Sequence, residues 1–250
     1  MSNENNKQDG IAIWNKVMSA AMSFPGVKID REAFLRKELA IYCTNDQLQE
    51  AISTSPCAVL PITTIDKVAK SCINHHTKVA VALSAIAGIP GGLALLGTIP
   101  TDVAQYYYHS FVLSQKLAYL YGWPDLCDEN GNITDDTCNM LTLLTGIMLG
   151  AAAANQVIQK AAEGFAGQVA KRLPRMALTK GVIYPLVKQV ARWIGINLTK
   201  GTFARGVAKL VPIFGGLASG ALTYAMFHPG AKRLQRTLKA TMHLLKANNP

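Results

Sequence analysis

Residues 79–122 read VAVALSAIAGIPGGLALLGTIPTDVAQYYYHSFVLSQKLAYLYG. Up to Ala87 the run is apolar without β-branched alternation, which is helical patterning. Gly88-Ile89-Pro90-Gly91-Gly92 stops it: glycine accepts the left-handed turn at a helix end, and proline has no N–H to continue the ladder. Thr98 or Thr101 then opens a second long helix through Tyr121, closed by Gly122 and Pro124. The spacing therefore predicts two long helices packed side by side through a Pro–Gly link. The fold class is all-α.

The same period recurs on both sides of this hairpin. Ile13, Trp14, Val17, Met18 and Ala21 form one stripe near the N-terminus. Asp30 caps a helix to about Cys43, Asn45 caps a short one over 46–52, and a long helix runs from about Thr63 to Ala87. Thr134 caps a further long helix reaching roughly Arg172, and Pro174 breaks it. An amphipathic helix follows over 183–196, then a short segment over 202–210. An apolar helix is expected to about Phe227, and Pro229–Gly230 separates a last helix over 231–246. The reading is a single globular helical bundle over 10–247, with Gly/Ala-rich apolar hairpins and peripheral amphipathic helices. Residues 1–9 are polar and are expected to be a disordered leader; no secretory signal is visible, which points to the cytoplasm.

Half of the 250 residues are hydrophobic and 16% are charged, against about 25% charged in ordinary soluble domains. Residues 1–139 hold 10 Lys/Arg and 14 Asp/Glu, net −4, whereas 140–250 hold 15 Lys/Arg and one acid, net +14. Such a split favours an anionic partner for the C-terminal half. Nucleic acid is not expected, because the basic residues are interleaved with Leu, Val and Gly rather than with stacking aromatics. The five cysteines make no CxxC and no zinc spacing, as in a reducing compartment.

Three stretches, 79–101, 137–159 and 210–231, contain no Asp, Glu, Lys or Arg. Each has the length of a bilayer span of about 20 residues, but prolines, glycines and amides interrupt them, so hairpins or core helices suit them better. Gly88/Gly92, Gly146/Gly150 and Gly216/Gly220 are spaced for close helix approach. The string Gly-Gly-Leu-Ala occurs in both halves, at Gly91 and at Gly215, each time after a proline.

Residues with catalytic chemistry collect between Asp66 and His109. His75 and His76 point about 100° apart on a helix, and no compact metal-ligand motif is present. A metal would need Asp102, His109 and His75 or His76 to converge from two facing helices. Asp102 also suits the positive end of a helix dipole. No cofactor, catalytic residue or metal site is expected.

The last helix carries Leu234, Leu238, Thr241, Met242 and Leu245 on one face, and Lys232, Arg233, Arg236, Lys239, His243 and Lys246 opposite. It suits either an interfacial helix on anionic lipid or a helix docked by its apolar side. With Leu93, Leu95 and Leu96 of the central link, these basic residues are the expected lipid contacts.

Pro90, Gly91, Gly92 and Asp102, followed by Tyr121-Gly122, resemble the centre of the EcsC protein family. Pro212, Gly215 and Gly216 resemble that family's C-terminal glycine block, so the resemblance covers about residues 60–230. It implies a bacterial helical protein associated with membranes, sometimes encoded near ABC transporters, and supplies no catalytic residues. Together these readings predict a non-enzymatic, peripheral protein at the inner face of the membrane, binding anionic lipid or a membrane-protein partner. A soluble carrier of a lipid or apolar ligand is the alternative. A metal-dependent hydrolase using Asp102, His109 and His75 or His76 is the second.

Overall fold

The computed structural model describes residues 2–87, 99, 101–128, 130–165, 183–208 and 215–246. Among these the chain is all-α, with isolated bridge positions at Ile99 and Asp125 and no strand. The helices are α1 (Ser2–Met22), α2 (Arg31–Leu39), a 3-10 turn (Ala40–Tyr42), α3 (Asn45–Ser53) and α4 (Pro56–Val59). There follow α5 (Ile62–Ala87), α6 (Thr101–Leu120), α7 (Asp135–Leu149), α8 (Ala152–Phe165), α9 (Ile183–Ala208) and α10 (Gly215–Lys246).

α6 is the centre. Sixteen of its twenty residues are buried, so it is covered all round, as a helix apolar on every side must be. It is flanked by α5, α1, α7 and α10, and α10 lies along α5. The predicted pairing of the helices on either side of the Pro–Gly link is therefore present. Trp14 of α1 packs edge-on against Tyr107 and Phe111 at 5.3 and 6.0 Å, and its indole donates to Thr142 Oγ1 of α7 at 2.9 Å. Of the α6 tyrosines, Tyr106, Tyr107 and Tyr119 are buried and Tyr108 is half-buried. Tyr106 meets Phe227, and the Tyr119 hydroxyl donates to the Asp125 carboxylate at 3.2 Å.

Several boundaries differ from expectation, each for a local reason. α1 begins at Ser2 and so takes in the polar residues expected as a leader; Gly10 is buried against α9, which anchors the helix there. Thr44, not Asn45, caps α3, because Gln47 completes a reciprocal capping box with it. The long helix from Thr134 ends at Leu149. Gly150 adopts φ +88°, and Ala151 N donates to Gly146 O in a Schellman closure.

The segment over 202–210 is not separate, since α9 runs unbroken to Ala208. Pro229 does not separate a last helix either; it lies inside α10. Proline removes one ladder bond, but Ala225 and Pro229 both lie on the exposed face of the helix, away from its packed stripe. Gly230 lets the same helix rest on the Met148 carbonyl, and Phe227, Leu234 and Leu238 continue one buried stripe through the proline.

Candidate functional site

α5 and α10 run antiparallel and are tied at two levels. Thr223 Oγ1 donates to Ser84 Oγ at 2.8 Å, and Lys239 pairs with Asp66 at 2.6 Å. At the first level both helices are free of charge: α5 from Val79 onward, α10 from Gly215 to beyond Phe227. Gly220 brings the backbones together there, lying against Val81 and Ala85. Over 220–227, the described side chains of this part of α10, Gly220, Thr223 and Phe227 are buried and the rest are exposed. Ile86 is 53% exposed, Leu222 42%, Tyr224 53% and Met226 41%. Two charge-free segments more than 130 residues apart in sequence thus converge into one apolar end with uncovered side chains. The tie between Ser84 and Thr223 was not legible beforehand, because neither residue sits in a motif.

The expected lipid contacts on the last helix are differently placed. Its apolar stripe is docked: Leu234, Leu238 and Thr241 are buried. Arg233 donates to the Met148 carbonyl at 2.6 Å, closing the end of α7, and Lys239 is held by Asp66. Arg236 is exposed, and Lys232 is half-buried and donates to Gln235 at 3.2 Å. Of the other expected contacts and motif residues, Leu93, Leu95, Leu96, Pro90, Gly91, Gly92, Pro212 and the Lys246 side chain lie outside the described residues. Gly215 and Gly216 open α10.

Tyr121 and Gly122 have structural work. The Tyr121 hydroxyl donates to Asp66 at 2.6 Å and accepts from Gln235 Nε2 at 2.9 Å, joining α5, α6 and α10. Burial, then the bond to Asp66, raises the phenol well above its ordinary range. Burial alone would raise the Asp66 carboxyl, but the bonds from Lys239 and Tyr121 outweigh it and hold it below the usual value. Gly122 takes φ +88°, and a Cβ there would overlap Ser55 Oγ. Tyr121→Phe should lower stability by about 1–2 kcal/mol, the worth of lost bonds to partly buried groups. Urea unfolding checks it, and an unchanged midpoint would remove Tyr121 as the junction.

The histidines form the one buried ionisable cluster that the hydrolase reading could use. His76 of α5 and His109 of α6 approach Nδ1 to Nδ1 at 3.3 Å, and Lys116 Nζ lies 3.1 Å from His76 Nε2. A lysine ammonium offers only protons, so His76 Nε2 accepts and its Nδ1–H donates to His109. Burial, with Lys116 and the neighbouring rings, lowers His76 to about 3; burial, then His75 and Lys116, lowers His109 to about 4. Both rings are neutral at pH 7. Of the remaining members of the proposed set, His75 meets the His76 ring edge-on at 5.2 Å and Asp102 stands apart. Asp102 sits two turns away on α6, about 10 Å along the axis, and accepts from Val103 N at 3.0 Å. His75 faces solvent. Burial raises the Cys72 thiol, one turn from His76, to about 11, far from nucleophilic. Among the described residues no group of three or more His, Cys, Asp or Glu could hold a metal ion.

No family model, no curated protein and no solved structure matches the chain. Function is therefore argued from the apolar end and the charge split. Among the described residues no helix is long and apolar enough to cross a membrane.

Proposed function

We propose that this protein is a non-enzymatic, peripheral membrane-associated protein that binds anionic lipid surfaces reversibly through the apolar end of the α5–α10 pair. The observation that carries the reading is the uncovered apolar cluster of Ile86, Leu222, Tyr224 and Met226, on a helical end without charge. Burying one large apolar side chain contributes about 1.5–3 kcal/mol when complete, so four half-exposed ones support a reversible attachment. The basic half adds attraction, at about 1 kcal/mol per Lys or Arg brought near an anionic leaflet. Screening limits that term to a Debye length of about 8 Å at physiological salt.

Sedimentation of the full chain with vesicles tests this. The protein should pellet with phosphatidylglycerol vesicles, far less with phosphatidylcholine, and be partly released by ~0.5 M salt. Failure to pellet with either lipid would end the reading and favour a soluble carrier.

A further inference from the structure

We infer that the cations at the rim of the apolar end of the α5–α10 pair, Lys78 and Lys232, engage the phosphate of an anionic phospholipid when that end meets a leaflet. The inference rests on the membrane reading and specifies how the surface is met.

The two ties set the register of the pair. Eighteen residues of α5 separate Asp66 from Ser84, and sixteen of α10 separate Thr223 from Lys239. Lys78, six residues before Ser84, is therefore level with about residues 227–229 of α10. It is exposed and is the last charge on α5. At 1.5 Å per residue, 79–87 extends about 13 Å beyond it, and α10 from that level to Gly215 extends about 20 Å. On α10 the exposed uncharged face covers Ala221, Leu222, Tyr224, Ala225 and Met226. It ends where the Tyr224 ring stacks on His228 at 5.4 Å, nearly parallel. Lys232, half-buried, follows one turn later and is the first cation along α10.

The order along the pair is thus apolar end, tyrosine–imidazole stack, lysines. That is the order of acyl chain, interface and headgroup in a leaflet. A second copy of the chain would cover the apolar residues equally well. It would offer the lysines only acids scattered over its net −4 half, 1–139, whereas an anionic phospholipid surface sets a continuous plane of phosphates beside the acyl chains. The adjacency of apolar end and lysines therefore favours the leaflet.

The test uses the full chain and vesicles of phosphatidylglycerol or phosphatidylcholine. Leu222→Asp with Met226→Asp, both at exposed positions, should weaken partitioning to phosphatidylglycerol at least about tenfold while leaving the helical circular dichroism unchanged. Lys78→Glu with Lys232→Glu should reduce the preference for phosphatidylglycerol by about fivefold or more per charge removed. Arg236→Glu, exposed on the far half of α10, should change binding less than twofold. In bound Tyr224→Trp protein, lipids brominated high in the acyl chain should quench the new tryptophan more than lipids brominated near the chain end. If the Leu222/Met226 variant loses binding but the Lys78/Lys232 variant keeps the wild-type preference for phosphatidylglycerol, the phosphate contact is wrong and the membrane reading stands; if the Leu222/Met226 variant binds as tightly as wild type, both fall. If wild type does not bind, both fall. Loss of self-association in sedimentation velocity by the Leu222/Met226 variant, with vesicle binding intact, would make the end a protein interface and overturn the inference.

Discussion

Between pH 6.5 and pH 4 the protein should lose on the order of 5 kcal/mol of folding stability, because two buried histidines stay neutral when folded and charge when unfolded. An unfolded imidazole has its pKa near 6.5, whereas folded His76 and His109 lie at about 3 and about 4. Below pH 6.5 the unfolded chain binds more protons than the folded one, so each step down in pH favours unfolding. Above pH 6.5 both states are neutral at these sites and the contribution is flat. With two protons taken up, the slope approaches about 2.7 kcal/mol per pH unit. Asp66 adds its own loss at lower pH, because its folded pKa lies below the unfolded value and protonation breaks its bonds to Lys239 and Tyr121.

The origin is geometric. His76 can accept a second proton only at Nε2, which would cost its bond from Lys116 and set a positive charge against the ammonium at close range. Urea midpoints at pH 7.5, 5.5 and 4.5 measure the effect. His76→Gln with His109→Leu removes both titrations and should flatten the dependence above pH 4.5. Equal slopes in wild type and the double variant would show that the pair is not buried as a neutral unit.

Gly195→Val should cost about 3 kcal/mol, through overpacking at the crossing of α1 and α9. A Cβ at Gly195 would overlap the Gly10 carbonyl, and one at Gly10 would lie 2.9 Å from the Arg192 carbonyl. Backbone faces backbone, so no side chain can swing aside. Gly220→Ala gives the contrast. Its Cβ would meet Ala85 at 3.4 Å, ordinary contact, and alanine gains up to about 1 kcal/mol in a helix over glycine. The first variant should therefore shift the urea midpoint down strongly, and the second should leave it equal or higher. A neutral Gly195→Val would mean that α1 does not cross α9 at Gly10.

These glycines also show what patterning could and could not reveal. The spacing rule selected Gly88/Gly92, Gly146/Gly150 and Gly216/Gly220, but Gly146, Gly150 and Gly220 do unlike jobs. Gly146 lies against Val190 and Ala154, Gly150 is a left-handed cap, and Gly220 makes an ordinary contact. Among the described glycines the tightest crossing joins Gly10 to Gly195, each with no GxxxG partner, because close approach depends on which helices meet rather than on spacing within one. Arg31 is a similar case. It looked like an ordinary basic residue in a first turn, yet it is buried and donates to the carbonyls of Ile52, Thr54 and Trp123, tying α2 to the ends of α3 and α6. Its burial lowers its pKa, against the opposing charge of Asp125.

By itself the sequence determined the all-α class, the caps at Asp30 and Thr134 and the charge-free segments; the expected stop at Gly88–Gly92 lies outside the described residues. Each follows from residues within a few positions of one another, where periodicity, capping chemistry and proline sterics act. Only the tertiary structure decided that α10 passes through Pro229, that the basic C-terminal helix is docked by its apolar side, and that α5 and α10 share an uncovered apolar end. These depend on contacts across more than a hundred residues, such as Ser84 to Thr223 and Asp66 to Lys239. A local pattern can say that a helix has an apolar face; only the packed chain decides whether protein already covers it.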